Sequence, residues 1–293
     1  MNKAKILLAG KIAAQVRDYI KPLIKKDVPL LEIAKKIETK IIELSGKPAF
    51  PVSLAIDEIA AHSTPSHDDE TKAHGLLKID MGVSVDGWLA DTAFSIDLEN
   101  SEENKKLIEA SEQALENAIK ITKKGITTSE IGGSIQETIN SHGFSPIINL
   151  SGHEIKQHEL HAGVTIPNFD DKKDIKIKTG VYAIEPFATT GNGKVRDGKQ
   201  SGIYMLIEHK NVRSPIAREV LHFIIEEYQT LPFCSRWLVK KFGTKALFGL
   251  KQLEANGNLH HFEQLIESSG AKVSQAEHTI LIDDDGEIIV TTR

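Results

Sequence analysis

One stretch of the chain, residues 76–98, restricts the possible fold more than any other. Its sequence, LLKIDMGVSVDGWLADTAFSIDL, has Asp86-Gly87 between two runs rich in apolar residues. An Asp-Gly pair in this setting is a strong signal for a two-residue hairpin loop in a type I′ turn. The sequence therefore predicts a β-hairpin in which Val85 pairs with Trp88.

The register that follows from this turn brings two aspartates onto one face of the hairpin. Counting back from the turn, Asp80 pairs with Ala93, and Asp91 pairs with Gly82. Because side chains alternate with period two, the two carboxylates are diagonal neighbours roughly 7–8 Å apart. Two carboxylates on an otherwise apolar hairpin repel each other and are costly to bury without a cation. The alternative is that both are exposed aspartates at strand ends.

Length and composition narrow the class of protein. The chain has 293 residues, 40% hydrophobic and 26% charged, with a net charge of −5. These values are ordinary for a globular protein with one large α/β domain or two smaller ones. The interspersed charges give no reason to expect nucleic acid or an anionic membrane as the main partner. Cys234 is the single cysteine, which excludes a disulfide framework and favours a cytoplasmic location.

Apolar periodicity predicts eight helices and a smaller number of strands. The first helix is amphipathic and is neither a signal peptide nor a membrane span, because Lys11 interrupts its apolar run. Extended segments are expected up to His62, at 180–189 and in a C-terminal hairpin at 276–292 with a DDDG turn. The predicted helices are 3–20, 29–44, 101–123, 128–141, 215–229, 235–242, 244–254 and 258–268.

Three further positions could carry chemistry. His153 lies in an irregular, histidine-rich stretch, Glu185 lies in a short buried strand before Pro186, and Glu277 opens the last hairpin. An ionised glutamate inside a buried strand is costly unless it is paired or binds a metal ion. Taken singly, each residue also has an ordinary explanation: a salt-bridged glutamate, a glutamate beside a turn, or a loop histidine.

Taken together, the two aspartates, two glutamates and one histidine form an oxygen-rich ligand set with a single imidazole. Such a set suits divalent Mn, Fe, Co or Zn and needs no thiolate. Because carboxylates can bridge, five such side chains can hold two metal ions about 3.5–4 Å apart, as in dinuclear hydrolases. No contiguous motif such as HExxH is present. The residues alone therefore indicate a cytosolic α/β metallohydrolase and nothing more specific.

Six segments, in this order, resemble the type 2 methionine aminopeptidases. They are HSTP, KIDMGVSVDGWLADTA, GHEI, HAG, AIEPFAT and AEHTIL, which contain His62, Asp80 with Asp91, His153, His161, Glu185 and Glu277, respectively. The resemblance covers essentially the whole chain. It implies one catalytic domain over residues 1–293 with the pita-bread fold, an α/β (α+β) architecture of two related halves around a dinuclear metal site. It also implies a helical subdomain insertion at about 194–253.

The resemblance further implies a role for each matched residue. His62 and His161 correspond to the family's outer histidines, one binding the substrate and leaving amine, the other contacting the scissile carbonyl. Glu185 is the candidate proton shuttle. The implied cofactors are two divalent metal ions, drawn from Co, Mn, Fe, Ni and Zn. Their implied ligands are Asp80 on one ion, Asp91 and Glu277 bridging both, and His153 and Glu185 on the other.

The substrate implied by the resemblance is the N-terminal methionine of a polypeptide whose second residue is small. Phe50, Leu160 and His161 fall where the family lines its methionine pocket, and an apolar, adaptable wall suits a thioether. Ile203, just before Tyr204, stands where eukaryotic members have a histidine. This departure resembles the archaeal branch and changes the expected polarity of the pocket.

The implied partners are the N-termini of nascent polypeptides and peptides, with a transient ribosome contact left open. A monomer is expected, without nucleic-acid specificity or membrane association. Two alternatives remain from the same fold: a prolidase or aminopeptidase P-like enzyme, and a non-catalytic ribosome-binding factor. The helical insertion and the AFP and HAGVTIPNF stretches favour methionine, and all five ligand positions are filled, unlike in the non-catalytic relatives.

Overall fold

The computed structural model describes residues 1–293 and contains seven α-helices and sixteen strands. The helices are α1 (Lys3–Ile20), α2 (Leu30–Glu43), α3 (Glu102–Ile121), α4 (Thr128–Ser141), α5 (Pro215–Glu227), α6 (Ser235–Phe242) and α7 (Lys245–Ala255). Each lies within two residues of a predicted helix. Ser101 caps α3 by accepting from the Asn104 backbone N–H, and Thr127 forms a capping box with Glu130 at α4. No helix combines the length and apolarity needed to span a bilayer.

The strands are mostly short, and the two longest pairs are the central hairpin and a long ribbon nearer the C-terminus. They are β1 (Lys47–Pro48), β2 (Ser53–Ile56), β3 (Ile59–Ala61), β4 (Leu76–Val85), β5 (Trp88–Asp97), β6 (Ser145–Pro146), β7 (Ser151–Ile155), β8 (Thr165–Pro167), β9 (Gly180–Ile184), β10 (Phe187–Thr189), β11 (Val195–Leu206), β12 (Phe233–Cys234), β13 (Leu259–Glu267), β14 (Val273–Gln275), β15 (Glu277–Ile282) and β16 (Ile288–Val290).

The main sheet has nine strands and is built around the predicted hairpin. Its order is β1-β4-β5-β15-β9-β7-β8, with β2 also paired to β4 and β16 to β15. Val85 pairs with Trp88 across the turn. Asp80 pairs with Ala93, and Gly82 pairs with Asp91. The predicted register is therefore confirmed.

Two helix pairs pack against this sheet and give two cores of nearly equal size. One core has 20 buried residues, mainly from α1, α2 and the strands β2, β4 and β5. The other has 19, mainly from α3, α4, β9 and β15. Each half is thus a helix pair that covers antiparallel strands, and the two halves meet where β5 pairs with β15.

A smaller layer contains α5, α6 and α7 with the strands β11, β12 and β13. It has its own core of 11 buried residues. The helix predicted at 258–268 is wrong, because this segment forms β13 and pairs with β11 from Val195 to Leu206. The spacing of Leu259, Phe262 and Ile266 fits a helix, but the long ribbon satisfies the same backbone groups and overrides that preference.

Candidate metal centre and active site

Five neighbouring strands of the main sheet each bring one predicted metal ligand to the same region. The break that separates β9 from β10 falls at Glu185-Pro186, since proline has no N–H to continue a ladder. In spatial order the five positions are Asp80 on β4, Asp91 on β5, Glu277 at the start of β15, Glu185 just after β9, and His153 on β7.

The strand register places the three ligands nearest the hairpin on one face. Asp80 and Glu277 both pair with Ala93, from opposite sides. Directly paired residues point to the same face of a sheet, and so do residues two apart on one strand. Asp91 precedes Ala93 by two positions and therefore joins them.

The same reasoning extends across the other half of the sheet. His278 pairs with Ile184, so continuing the register by one residue brings Glu185 beside Glu277. His153 pairs with Ala183, which is two residues before Glu185. All five predicted ligands therefore lie on the same face.

The distances show that the side chains converge. The candidate ligand atoms of Asp91, His153 and Glu277 all lie within 4.8 Å of one another. His153 Nε2 is 3.7 Å from Asp91 Oδ2 and 3.7 Å from Glu185 Oε1. His153 Nδ1 donates to the Glu154 carbonyl at 3.4 Å, so the Nε2 lone pair faces the carboxylates.

Burial of this cluster raises the free energy of its ionised carboxylates. It raises the pKa of Asp80 to about 7. Burial, followed by the neighbouring carboxylate charges, raises the pKa values of Asp91, Glu185 and Glu277 well above their usual range. Burial, with a smaller effect from the charge of His161, lowers the pKa of His153 to about 3, so this imidazole is neutral near pH 7.

The residues present fit a divalent metal ion. Asp80 Oδ1, Asp91 Oδ1 and Glu277 Oε2 are buried oxygens without a hydrogen-bond partner. Such groups are rare in folded proteins because they forfeit the free energy of hydration. A hard cation bound by these oxygens and by a neutral imidazole supplies the missing partner and offsets the mutual repulsion of the carboxylates.

The two predicted outer histidines have different surroundings. His161 is exposed, and its ring meets that of His153 edge-on at a centroid distance of 4.4 Å. His62 follows β3 in a left-handed backbone conformation, with φ of 56°. Its Nδ1 lies 3.2 Å from the Glu263 carbonyl, and its ring contacts Phe262 edge-on at 5.3 Å. Burial lowers the pKa of His62 to about 4.

The predicted pocket residues lie on different elements of the fold. Phe50 and Leu160 pack in one apolar cluster together with Trp88. Ile203 is buried on β11, where it pairs with Cys234 of β12. Phe50 lies so close to the hairpin that a Cβ added at Gly82 would come within 2.3 Å of its ring.

Two buried polar residues that were not predicted complete the site. The Gln275 amide donates to Glu185 Oε2 at 3.5 Å and also contacts Asp80. Thr279 Oγ1 accepts from the Asp91 backbone N–H at 2.7 Å and donates to the Asp91 carbonyl at 2.8 Å. In the sequence, only the alternation of side chains along a strand points to these two residues. Both lie two positions from Glu277 and therefore share its face.

Comparison with known proteins places this geometry in a family. Residues 4–227 match the model of metallopeptidase family M24. The chain belongs to metallopeptidase family M24. A relative from Pyrococcus abyssi, named methionine aminopeptidase, is 46% identical over 298 aligned residues, and the alignment covers 100% of this chain and 100% of the relative. The family assignment and the ligand cluster together support the use of divalent metal by this M24 chain.

Solved structures agree with the M24 fold. The structure of a thermophilic Arx1 is 15% identical, has a TM-score of 0.85, and covers 98% of this chain and 90% of its own. The methionine aminopeptidase from Thermotoga maritima is 21% identical, has a TM-score of 0.71, and covers 100% of this chain and 98% of its own. At these identities the likeness concerns the fold alone, and it confirms the predicted pita-bread architecture.

Proposed function

We propose that this protein is a metal-dependent aminopeptidase that removes the N-terminal methionine from polypeptides with a small second residue. The observation that carries the proposal is the row of five ligand side chains on one face of five neighbouring strands. It occurs in an M24 chain whose full-length relatives carry the name methionine aminopeptidase.

Two divalent ions, drawn from Co, Mn, Fe, Ni and Zn, would bind at this cluster. When bound, such ions polarise a peptide carbonyl and lower the pKa of water at the site. The buried carboxylate oxygens that lack a hydrogen-bond partner support this assignment. The ligands in this proposal are Asp80, Asp91, His153, Glu185 and Glu277.

Glu185 is our candidate for moving the proton. Its Oε1 lies beside His153 and its Oε2 accepts from the Gln275 amide, so the carboxylate is oriented at the edge of the cluster. From there it can take a proton from the attacking water and deliver it to the departing amine.

His62 and His161 would contact the substrate. The low pKa of His62 keeps its imidazole neutral near pH 7, and a neutral imidazole can supply one oriented hydrogen bond to the peptide. Its Nδ1–H donates to the Glu263 carbonyl, which leaves the Nε2 lone pair to accept a hydrogen bond from an N–H group of the substrate. His161 lies against His153 and is therefore next to the proposed metal ligands.

Phe50 and Leu160 would form the wall of the methionine pocket, because they share one apolar cluster beside the hairpin. Ile203 would add an apolar surface next to Tyr204. We also propose that residues 194–253 are an insertion into the two-half fold, which the separate core of α5, α6 and α7 supports. The proposed substrates are nascent polypeptides and peptides, handled by a monomer that contacts the ribosome at most transiently.

Cleavage of matched peptides tests this function. Met-Ala-Ser, Met-Leu-Ser and Ala-Pro-Ser are incubated with chelated protein and after Mn, Fe or Co is restored. We expect metal-dependent release of methionine from Met-Ala-Ser only. Asp91→Asn should abolish it, whereas Asp86→Asn, at the exposed tip of the same hairpin, should not.

Two results would contradict the proposal. Cleavage of Ala-Pro-Ser in place of Met-Ala-Ser would indicate a prolidase or aminopeptidase P-like enzyme. A folded, metal-loaded protein that cleaves none of the peptides would indicate a binding factor.

A further inference from the structure

A lysine is buried beside the metal centre without a carboxylate partner. Lys78 is only 1% exposed, on a strand whose neighbouring side chains are buried. Its Nζ donates to the Asp57 carbonyl at 2.9 Å and to the Val273 carbonyl at 2.8 Å. Burying an ammonium group is costly unless it makes good hydrogen bonds, so these two backbone contacts are the ones that stabilise it.

The two carbonyls belong to segments that lead to the candidate active site. Asp57 lies between β2 and β3, and β3 is followed by His62. Val273 begins β14, a strand of three residues that is separated from Glu277 by Ala276 alone. The Val273 backbone N–H also donates to the Asp57 carbonyl at 3.0 Å, so Lys78 binds where these segments meet.

The hairpin holds the other end of β14 through a serine. Ser95 Oγ donates to the Gln275 carbonyl at 2.8 Å and accepts from the Gln275 backbone N–H at 2.9 Å. Ser95 is also the cross-strand partner of Lys78. Since Lys78 is two residues before Asp80, this pair forms the row next to the ligand row, on the same face.

β14 and the first residue of β15 together present two side chains to the metal centre. Gln275 donates to Glu185 and contacts Asp80, and Glu277 follows two residues later. A shift of β14 would therefore move an amide that orients two carboxylates, together with a third carboxylate.

We propose that Lys78 is a positioning residue for the metal centre: by binding β14 through the Val273 carbonyl, it fixes Gln275 and Glu277 relative to Asp80 and Glu185. The inference rests on the proposed metal site. It is independent of which peptide the protein cleaves.

The test compares Lys78→Met with Lys272→Met. Lys272 precedes β14 by one residue but bonds through its side chain to Asn104, at 3.0 Å, and not to the carbonyls that Lys78 binds. Binding of Mn²⁺ and of Co²⁺ is measured by titration calorimetry, and amide exchange is followed over residues 273–277. We expect Lys78→Met to weaken metal binding about tenfold and to speed exchange in this segment. Lys272→Met should leave both near the wild-type values.

A double-mutant cycle gives a second measurement. The cycle compares Gln275→Leu, Lys78→Met and the double variant. Because both residues act through β14, the loss of metal affinity in the double variant should be smaller than the product of the losses in the two single variants. If Lys78→Met does not fold, Lys78→Gln retains a donor for one carbonyl and is expected to weaken binding in the same direction. A folded Lys78 variant with wild-type metal affinity would overturn the proposal.

Activity supplies a further readout that separates this inference from the proposed function. With metal at saturation, kcat for Met-Ala-Ser should fall about tenfold in Lys78→Met while KM changes little, since the substrate pocket is untouched. An inactive wild-type protein would contradict the proposed function, but the metal affinities would still decide the role of Lys78.

Discussion

Arg236 Nη2 lies 2.7 Å from Glu38 Oε1 in an ion pair whose side chains are only 5% and 11% exposed. The pair joins α6 to α2, and the same Nη2 donates to Thr64 Oγ1 at 3.3 Å. Thr64 is two residues beyond His62. The contact therefore connects the helical layer both to the first half of the fold and to the segment that carries an outer histidine.

Removing one partner of this pair should be strongly destabilising. In Arg236→Met, Glu38 keeps its buried position without a counter-charge, which we expect to lower the free energy of unfolding by about 3–5 kcal/mol. Urea denaturation measures this change. The matched control is Lys36→Met, which breaks the exposed Lys36–Glu32 pair on the same helix and should change stability by about 0.5 kcal/mol or less. Equal effects of the two substitutions would refute the role of the buried pair.

Stabilisation by metal should increase with pH. Burial raises the pKa of Asp80 from its usual 3.8 to about 7, so the metal-free native state binds more protons than the unfolded state between these values. Its unfolding free energy therefore falls as the pH rises from about 4 through about 7. Metal binding needs the deprotonated carboxylates and is favoured by the same rise.

Thermal unfolding with and without Mn²⁺ checks this expectation. The metal-induced increase in Tm should be small near pH 5 and should grow towards pH 8. Asp80→Asn should flatten the fall in metal-free stability over this window. A metal-induced shift that is constant across the range would contradict the assignment of these carboxylates as ligands.

His62 should affect turnover without affecting metal binding. We expect His62→Gln to lower kcat about tenfold, the effect of disturbing one hydrogen bond that Nε2 accepts from a substrate N–H group, with an unchanged dissociation constant for Mn²⁺. Glu277→Gln should instead weaken metal binding itself. Because the pKa of His62 is about 4, titration of this residue should not appear in a pH–rate profile above about pH 5. Loss of metal affinity in His62→Gln would place His62 among the ligands instead.

The sequence was most informative where local chemistry and tertiary pairing agree. The Asp86-Gly87 turn determines the hairpin register, and that register already places Asp80 and Asp91 on one face. The positions of Glu185 and Glu277 next to them depend on which strands are neighbours in the sheet. Local pattern does not encode that order, so ligand chemistry and the resemblance suggested the grouping, and only the fold shows it as geometry.

The strand β13 and the burial of Lys78 could not be predicted from the sequence, because both depend on contacts with distant segments of the chain. The segment of β13 has apolar residues at helical spacing, and only its partner β11 makes it a strand. Lys78 interrupts the apolar run LLKIDM, and a lysine in such a strand usually indicates an exposed face. Its burial depends on carbonyls that lie 21 and 195 residues away in the chain, which no sequence window contains.

Gly82 should control the shape of the methionine pocket. Its φ is not positive, so the glycine is needed for space and not for backbone conformation. A Cβ at this position would lie 2.3 Å from the Phe50 ring and 2.9 Å from Ala49 Cβ. In Gly82→Ala the Phe50 ring must therefore move, and we expect KM for Met-Ala-Ser to rise about tenfold, roughly 1.4 kcal/mol of lost binding.

The matched control for Gly82→Ala is Gly133→Ala. Gly133 lies in α4, where an added Cβ meets Asp170 at 3.5 Å, an ordinary contact. This substitution should stabilise the protein by about 0.5–1 kcal/mol through helix propensity and leave KM unchanged. Steady-state kinetics on both variants, with Mn²⁺ affinity measured in parallel, separates pocket shape from metal binding. If Gly82→Ala retains the wild-type KM, then Phe50 does not contact the methionine side chain, and the pocket must be formed by other residues.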